Sequence, residues 1–193
     1  MVRDPERVFS ELKKKRVGVV GLGVSHFALI RLMLKKGIGV TVLDKREMEA
    51  LGEDGRTLEK EGARFILGDG YLDALTSFDV LFRTPGMYFL SDALNKARAA
   101  GVSVVSEMEV FFDLCPCRVF AVTGSDGKTT TSTLISEFFK AEGKTVHLGG
   151  NIGRALLPQI EEIKPEDICV VELSSFQLIS MRQSPDVAVV TNV

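Results

Sequence analysis

The sequence predicts an α/β protein in which two parallel sheets follow one another along the chain. Short, almost continuously apolar segments alternate with helical segments, and several of the apolar segments run directly into glycine-containing turns. This pattern is typical of parallel strands that are covered by helices on both faces. Pro116 interrupts the alternation, so we place a boundary near residues 113–117 and expect one domain over 1–114 and an incomplete second domain over 115–193.

The first domain contains five predicted strands and four predicted helices. The strands are expected at residues 17–20, 40–43, 64–67, 79–82 and 102–105. Helices are expected at 25–36, at 45–61 with a break around Gly52 and Gly55, and at 91–100. A further helix begins at Asp4-Pro5, since Asp is a favoured cap and Pro a favoured first-turn residue.

The second domain repeats the alternation. Strands are expected at residues 118–122, 144–148, 168–171 and 187–190, and helices at 128–141 and 174–182.

Composition excludes several classes of function. Lys and Arg number 24 against 26 for Asp and Glu, a net charge of −2, so we expect no nucleic-acid partner. The sequence contains no run of about 18 apolar residues, so it predicts no membrane span. The basic run at residues 13–16 precedes an apolar segment, as in a signal peptide, but no cleavage site follows. Three sparse cysteines are typical of reduced thiols, and we expect a cytoplasmic monomer.

The strongest chemical signal is a glycine-containing loop between a predicted strand and a predicted helix. Such a loop can point successive amides at phosphate oxygens, and Lys128 and the Thr129 hydroxyl could serve the β- and γ-phosphates and Mg²⁺. Val122 occupies the place of the usual first glycine. The alternative is an ordinary turn with a solvated Lys128. The residues of this loop expected to bind a nucleotide, which the resemblance described below implies to be ATP, are Gly124, Ser125, Asp126, Gly127, Lys128, Thr129 and Thr130.

Glu172 ends the apolar run 168–172. Ligands of parallel sheets lie beyond the carboxyl ends of the strands, and a carboxylate there can hold Mg²⁺ beside phosphates. A solvated glutamate at a strand end is the alternative.

A second glycine turn, Gly21-Leu22-Gly23-Val24-Ser25-His26, follows the first predicted strand, and Asp44 ends the next. These features form most of the Rossmann-like dinucleotide fingerprint. His26 replaces its third glycine, so the turn predicts diphosphate binding without a fixed cofactor. We interpret His26 as a helix-start residue. Cys115-Pro116-Cys117 is interpreted as a connection between domains, because no further pair of ligands accompanies it.

Together these segments resemble the Mur ligases. The stretches at Gly149-Gly150-Asn151-Ile152-Gly153 and at Glu172-Leu173-Ser174-Ser175-Phe176-Gln177 resemble the D-glutamate-adding branch most closely. The resemblance implies a Rossmann-like domain for a uridine nucleotide, followed by the first part of a P-loop-type ATPase domain. It also implies an ATP- and Mg²⁺-dependent amide ligase of peptidoglycan precursor synthesis. Such a ligase joins D-glutamate to UDP-N-acetylmuramoyl-L-alanine through an acyl phosphate.

The resemblance also assigns site residues. Val24 and Ser25 would hold the diphosphate, and Asp44 with Lys45 the uracil. Lys128 and Glu172 would be catalytic, with Thr129 and Glu172 on the metal. The other implied substrate contacts are Thr84, Pro85, Gly86, Asn151, Ser174 and Gln177.

Each substrate contact has a structural alternative. Asn151 could be a turn residue with left-handed dihedrals, residues 84–86 a plain turn, and Ser174 only a helix cap. Phe176 and Leu178 are expected in the core.

The family carries a histidine and a carbamoylated lysine beyond the strand at 187–190, and the sequence stops at Val193 before either. We therefore expect an N-terminal part of a ligase, inactive by itself. A non-catalytic nucleotide-binding module, an NAD-dependent oxidoreductase and a ligase for another amino acid remain alternatives.

Overall fold

The computed structural model describes residues 4–192, which form two compact units, one of Asp4–Glu107 and one that begins at Met108. The first unit is built from strand–helix alternation, as the sequence predicts. Its strands are β1 Val17–Val20, β2 Val40–Asp44, β3 Arg64–Leu67, β4 Val80–Arg83 and β5 Ser103–Val105. Its helices are α1 Pro5–Leu12, α2 Val24–Lys35, α3 Met48–Lys60 and α4 Asp92–Ala99, with a 3₁₀ turn at Asp73–Ser77.

The five strands form one parallel sheet in the order β3-β2-β1-β4-β5. The order reverses at β1, which is the topological switch point where ligands bind in open α/β sheets. Strands β1 and β4 are buried along their whole length because helices cover both faces. One core cluster lies between the sheet, α4 and the 3₁₀ turn, and it includes Leu43, Leu75, Phe78, Leu81 and Leu94.

The second unit contains a second parallel sheet. Its strands are β6 Arg118–Thr123, β7 Val146–Gly150, β8 Ile168–Glu172 and β9 Val187–Val190, in the order β7-β8-β6-β9. Helix α5, Glu107–Leu114, leads into this unit, and the helices that follow are α6 Lys128–Ala141 and α7 Ser175–Leu178, with a 3₁₀ turn at Leu157–Gln159. Strand β8 lies between β7 and β6 and is fully buried, whereas side chains of the edge strand β9 alternate between half-buried and exposed.

Helix α5, Glu107–Leu114, is absent from the sequence prediction. Ser106 followed three residues later by Glu109 is a typical helix-start pattern and could have revealed it. Our boundary near residues 113–117 falls at the end of this helix and remains a prediction.

Three other predicted elements differ in extent. Strand β7 lies two residues later than predicted, and α7 stops at Leu178 instead of residue 182. Beyond Leu178 the chain makes a tighter turn, in which the Met181 amide donates to the Leu178 carbonyl. The Ser180 hydroxyl donates to the Glu109 carboxylate. Helix α3 begins at Met48 instead of residue 45, and it is kinked at Gly52, as predicted, because this residue has φ of 63°. Within the described residues, every helix is too short or too polar to cross a membrane.

The packing of β1 predicts that Gly18→Ala destabilises the protein. A Cβ at Gly18 would lie 2.6 Å from Leu81 Cδ2 and 3.0 Å from Leu43 Cδ1, and both leucines are fully buried. We expect the free energy of unfolding, measured by urea denaturation, to fall by about 1–3 kcal/mol. Gly39→Ala is the matched control, because an exposed Cβ there meets no atom within 4 Å. Equal unfolding midpoints for the two variants would contradict the packing argument.

Candidate functional site

The turn after β1 needs glycine at one position and leaves space at another. Gly21 has φ of 82°, and a Cβ there would lie 3.0 Å from Thr84 Cγ2. Gly23 has extended backbone angles, and a Cβ there would meet nothing within 4 Å. Helix α2 begins at Val24, so the amides of its first turn have no acceptor within the helix. The turn therefore combines free amides with open space, which is what a diphosphate needs.

The carboxylate of Asp44 holds this turn in place. Its Oδ2 accepts from the Leu22 amide and from Arg46 Nη2, both at 2.8 Å, and its Oδ1 accepts from the Arg46 amide and Nε at 2.9 and 3.0 Å. Burial raises the pKa of Asp44, but the hydrogen bonds from Arg46 and Leu22 outweigh burial and lower this pKa to about 2. Asp44 is thus ionised and fixes the loop from inside; its role toward uracil remains a prediction.

Arg46 is a contributor that the sequence prediction missed. Besides its contacts with Asp44, its Nη2 donates to the Leu22 carbonyl at 2.6 Å. One guanidinium therefore joins the end of β2 to the glycine turn. Its position two residues after Asp44 was the available signal.

His26 is a structural residue of the turn, in agreement with its interpretation as a helix-start residue. It is almost fully buried in the first turn of α2, and its Nδ1 lies 2.7 Å from the Gly21 carbonyl oxygen. Because a carbonyl only accepts, Nδ1 carries the proton. Burial lowers the pKa of His26, so the ring is neutral.

A cavity of about 640 Å³ lies at the carboxyl ends of β1, β2 and β4. Four predicted substrate residues line it: Asp44, Lys45, Thr84 and Gly86. Tyr71, Leu72 and Met87 also line it and were not predicted, because their positions depend on how the loops after β3 and β4 fold.

Val24, Ser25 and Pro85 do not line this cavity. Val24 and Ser25 begin α2 directly after Gly23, and Gly23 does line the cavity. The Val24 side chain is 93% exposed. Pro85 lies in a turn closed by the Met87 amide and the Thr84 carbonyl at 3.1 Å, so the alternative of a turn at 84–86 describes the local structure.

The phosphate loop lies between β6 and α6. Strand β6 continues through Thr123, so Val122 is a buried strand residue and the loop begins only at Gly124, with φ of 138°. Gly127, with φ of 78°, is the N-cap of α6. The Lys128 Nζ donates to the carbonyls of Gly124 and Ser125, each at 2.9 Å. The departure from the usual motif at residue 122 thus leaves the loop itself intact.

Thr191 and Asn192 hold the phosphate loop and were missed from the sequence. Asn192 Oδ1 accepts from the Asp126 amide at 2.8 Å and from the Ser125 hydroxyl at 2.9 Å. The Thr191 amide donates to the Thr123 carbonyl at 2.9 Å, and its hydroxyl contacts the Asp126 carbonyl. These contacts span more than 60 residues, so only the pairing of β9 with β6 brings them about.

Glu172 brings together two other predicted residues. It is buried at the end of β8, where Oε2 accepts from the Thr129 hydroxyl at 2.7 Å and Oε1 from Asn151 Nδ2 at 2.9 Å. The Asn151 amide also donates to the Glu172 carbonyl at 2.8 Å. Within residues 4–192 only glycines have positive φ, so the alternative that Asn151 is a left-handed turn residue is wrong.

The cluster around Glu172 fits Mg²⁺. A carboxylate and a hydroxyl are hard oxygen ligands of the kind that Mg²⁺ takes together with phosphate oxygens, and both lie beside the phosphate loop. The alternative of a solvated Glu172 is wrong, because the residue is 1% exposed.

Ser174 and Gln177 form a capping box at the start of α7. The Gln177 amide donates to Ser174 Oγ at 3.3 Å, and the Ser174 amide donates to Gln177 Oε1 at 2.9 Å. The alternative of a helix cap therefore holds for Ser174. The prediction that Phe176 and Leu178 are core residues is wrong: they are 62% and 38% exposed, because α7 is one short turn that buries Gln177 instead.

Comparison with known proteins assigns both parts of the chain to one family. The N-terminal domain model of MurD-like Mur ligases matches residues 15–106, and the Mur ligase middle domain matches residues 122–193. The chain belongs to the Mur ligases. This assignment leaves the oxidoreductase alternative without support.

Within the family, the chain is similar to curated proteins named UDP-N-acetylmuramoylalanine–D-glutamate ligase. It is 49% identical to that of Clostridium botulinum strain Alaska E43, over all of this chain and 42% of the relative. It is 51% identical to that of Acetivibrio thermocellus, over 95% of this chain and 39% of the relative. The chain thus spans about two fifths of the length of these relatives.

A solved structure shares the fold. It is the UDP-N-acetylmuramate:L-alanyl-gamma-D-glutamyl-meso-diaminopimelate ligase of Neisseria meningitides, with a TM-score of 0.53 and 19% identity over 92% of this chain and 60% of that one.

The depressed pKa of Asp44 predicts a pH dependence of stability. Its pKa is about 2 in the folded protein against 3.8 for the ordinary group, so this contribution is present above pH 3.8 and is lost as the pH falls toward 2. The shift corresponds to about 2 kcal/mol. Urea denaturation between pH 5 and 2 should show this loss in the wild type and not in Asp44→Asn. The exposed Asp69→Asn should follow the wild type; an identical pH profile for Asp44→Asn would refute the assignment.

The Asn192 contacts predict that an amide of the phosphate loop is protected from hydrogen exchange. Asn192→Ala removes the acceptor of the Asp126 amide, so we expect hydrogen exchange of this amide to accelerate roughly five- to tenfold, the equivalent of one hydrogen bond. Asn192→Asp keeps an acceptor oxygen and should preserve most of the protection. Unchanged exchange in Asn192→Ala would show that this contact does not order the loop.

Proposed function

We propose that this chain supplies the uridine-nucleotide-binding and ATP-binding parts of an ATP-dependent amide ligase. The ligase joins D-glutamate to UDP-N-acetylmuramoyl-L-alanine in peptidoglycan precursor synthesis. The observation that carries the proposal is the cluster at the phosphate loop, where the Thr129 hydroxyl and the Asn151 amide meet the buried Glu172 carboxylate. The names of the relatives support the choice of D-glutamate.

The phosphate loop would bind ATP through backbone amides and one lysine. The amides of residues 127–130 lie at the N-terminus of α6, where the helix carries partial positive charge. The Lys128 ammonium group, which donates to the carbonyls of Gly124 and Ser125, would turn toward the β- and γ-phosphates when ATP binds. Thr129 and Glu172 would hold Mg²⁺, which, when bound, neutralises charge on the phosphate oxygens.

In this reaction the chain would mainly position the reacting groups and stabilise charge. The alanyl carboxylate would attack the γ-phosphorus, and ADP would leave, which gives an acyl phosphate. The D-glutamate amine would then attack the acyl carbon, lose a proton and expel phosphate, and the amide forms. Lys128 would stabilise the negative charge that moves among the phosphate oxygens, and Glu172 would keep Thr129 oriented toward them.

The first unit would bind the uridine nucleotide. The diphosphate would lie over Gly23 against the amides of Val24 and Ser25, because a Cβ at Gly23 would meet nothing within 4 Å. The uridine would occupy the cavity of about 640 Å³ that Asp44, Lys45, Thr84 and Gly86 line.

The remaining assignments carry over as proposals by resemblance. Asn151, Ser174 and Gln177 would contact the sugar-linked part of the substrate, and Pro85 would shape the turn beside the uridine. The parent enzyme would work as a cytoplasmic monomer.

Two variants separate the two binding functions. Gly23→Val adds a branched side chain where the backbone angles allow it, so we expect a folded protein that binds UDP-N-acetylmuramoyl-L-alanine at least about tenfold more weakly. Lys128→Ala should weaken binding of ATP with Mg²⁺ by a similar factor. Isothermal titration calorimetry on the 193-residue chain measures both affinities.

Each variant is the control for the other. Gly23→Val should keep its ATP affinity, and Lys128→Ala should keep its affinity for the uridine nucleotide. Absence of UDP-N-acetylmuramoyl-L-alanine binding by the wild-type chain would refute the role of the first unit. ATP binding that is indifferent to Lys128→Ala would refute the role of the phosphate loop.

A further inference from the structure

All three cysteines of the chain lie together in the second unit. The Sγ atoms of Cys115 and Cys117 are 3.7 Å apart, and Cys169 Sγ lies 3.7 Å from the first and 3.4 Å from the second. Each of the three residues is buried, and none is more than 8% exposed. Cys169 is more than 50 positions away in sequence, so the fold itself brings it to the pair. The interpretation of residues 115–117 as a mere connection therefore overlooks a third sulfur.

Strand pairing explains the convergence. Cys117 immediately precedes β6, and Cys169 is the second residue of β8, where it pairs with Val119 in the parallel register. Cys115 follows α5 and is separated from Cys117 only by Pro116, whose ring restricts the backbone between the two thiols. Two rigid strands and one short, stiff connection thus fix all three sulfurs.

The sulfur triangle has the size of a thiolate metal site. Zinc–sulfur bonds of about 2.3 Å in a tetrahedral site place the sulfurs about 3.8 Å apart. The observed distances of 3.4–3.7 Å need only a small expansion to admit an ion. A disulfide, with a bond of about 2.05 Å, would join two of the sulfurs and leave the third thiol alone.

A cavity gives this cluster access to solvent. Cys115 and Cys117 line a cavity of about 320 Å³ together with Arg118, Ser184 and Asp186. An ion therefore has a route to the thiols, and a water in the cavity can supply a fourth ligand.

The three thiols also contact one another directly. The Cys115 and Cys117 thiols each donate to Cys169 Sγ. A bound metal ion would replace these weak contacts with sulfur–metal bonds, because the thiolate is the form that binds metals.

We propose that Cys115, Cys117 and Cys169 form a binding site for one thiophilic metal ion, Zn²⁺, with a fourth ligand from water in the adjoining cavity. Sulfur ligands select borderline and soft ions, so this site is distinct in chemistry from the oxygen cluster at Glu172. A bound ion ties the start of β6 to β8 and stabilises the second unit.

Cobalt is the probe that reports thiolate ligands directly. The 193-residue chain, kept reduced by a non-thiol reductant, is titrated with Co²⁺ and followed by thiolate-to-cobalt charge-transfer absorption. We expect this band to saturate at one equivalent and to disappear when Zn²⁺ displaces the cobalt. Affinity should fall as the pH is lowered, because binding releases thiol protons.

Matched variants separate the site from other metal-binding groups. Cys117→Ser removes one ligand at the cavity and should weaken Zn²⁺ binding at least about 100-fold, more than the loss of an outer hydrogen bond costs. Ser184 lines the same cavity but carries no thiol, so Ser184→Ala should bind Zn²⁺ as tightly as the wild type does.

Three results would overturn the proposal: no cobalt binding, cobalt binding without the charge-transfer band, or equal affinity in Cys117→Ser. If Cys117→Ser does not fold, alkylation of the wild-type chain by iodoacetamide provides the second measurement. Zn²⁺ should then protect all three thiols, and labelling at an unchanged rate would refute the site.

Discussion

The parallel pairing of β6 with β8 is the constraint on which the second unit depends. Its register sets Val122 beside Glu172, so the phosphate loop that follows β6 emerges next to the carboxylate that ends β8. The Thr129–Glu172 hydrogen bond of 2.7 Å is the direct result. The other end of the same strand pair sets Val119 beside Cys169 and gathers the three thiols. One register thus places an oxygen cluster at one end of two strands and a sulfur cluster at the other.

The first unit uses the same principle with a different anchor. Parallel strands β1, β2 and β4 all end at one edge, where Gly21, Asp44 and Thr84 follow or end them. Asp44 connects the ends of β1 and β2, because its carboxylate accepts from both the glycine turn and Arg46. In each unit a buried acid from the neighbouring strand thus contacts the segment that follows the first strand: Asp44 accepts from the glycine turn, and Glu172 accepts from Thr129 at the start of α6. Phosphate binding of the proposed kind would need no broad basic surface, because amides and few cations would suffice, in keeping with a net charge of −2.

Much of the fold and part of the site follow from local patterns. Strands β1, β3 and β9 and helix α6 occupy the predicted residues, because apolar runs and glycine stops are local signals. The glycine turns, Asp44, Lys128 and Glu172 were found for the same reason. Helix α5 was missed, α7 was predicted too long, and Phe176 was assigned to the core on hydrophobicity alone. Burial depends on neighbours from distant elements, and a single apolar residue in a short helix does not reveal them.

The sequence by itself determined the alternation of strands and helices, both glycine loops and the acids at the strand ends, since each is a property of adjacent residues. Only the tertiary structure decided which distant groups support them. Asn192 holds the phosphate loop, Arg46 donates to the Leu22 carbonyl of the glycine turn, and Cys169 completes a triangle with Cys115 and Cys117. These partners come from strands that pair across tens of residues, and the register of that pairing is set by burial of whole sheet faces, which no local pattern records.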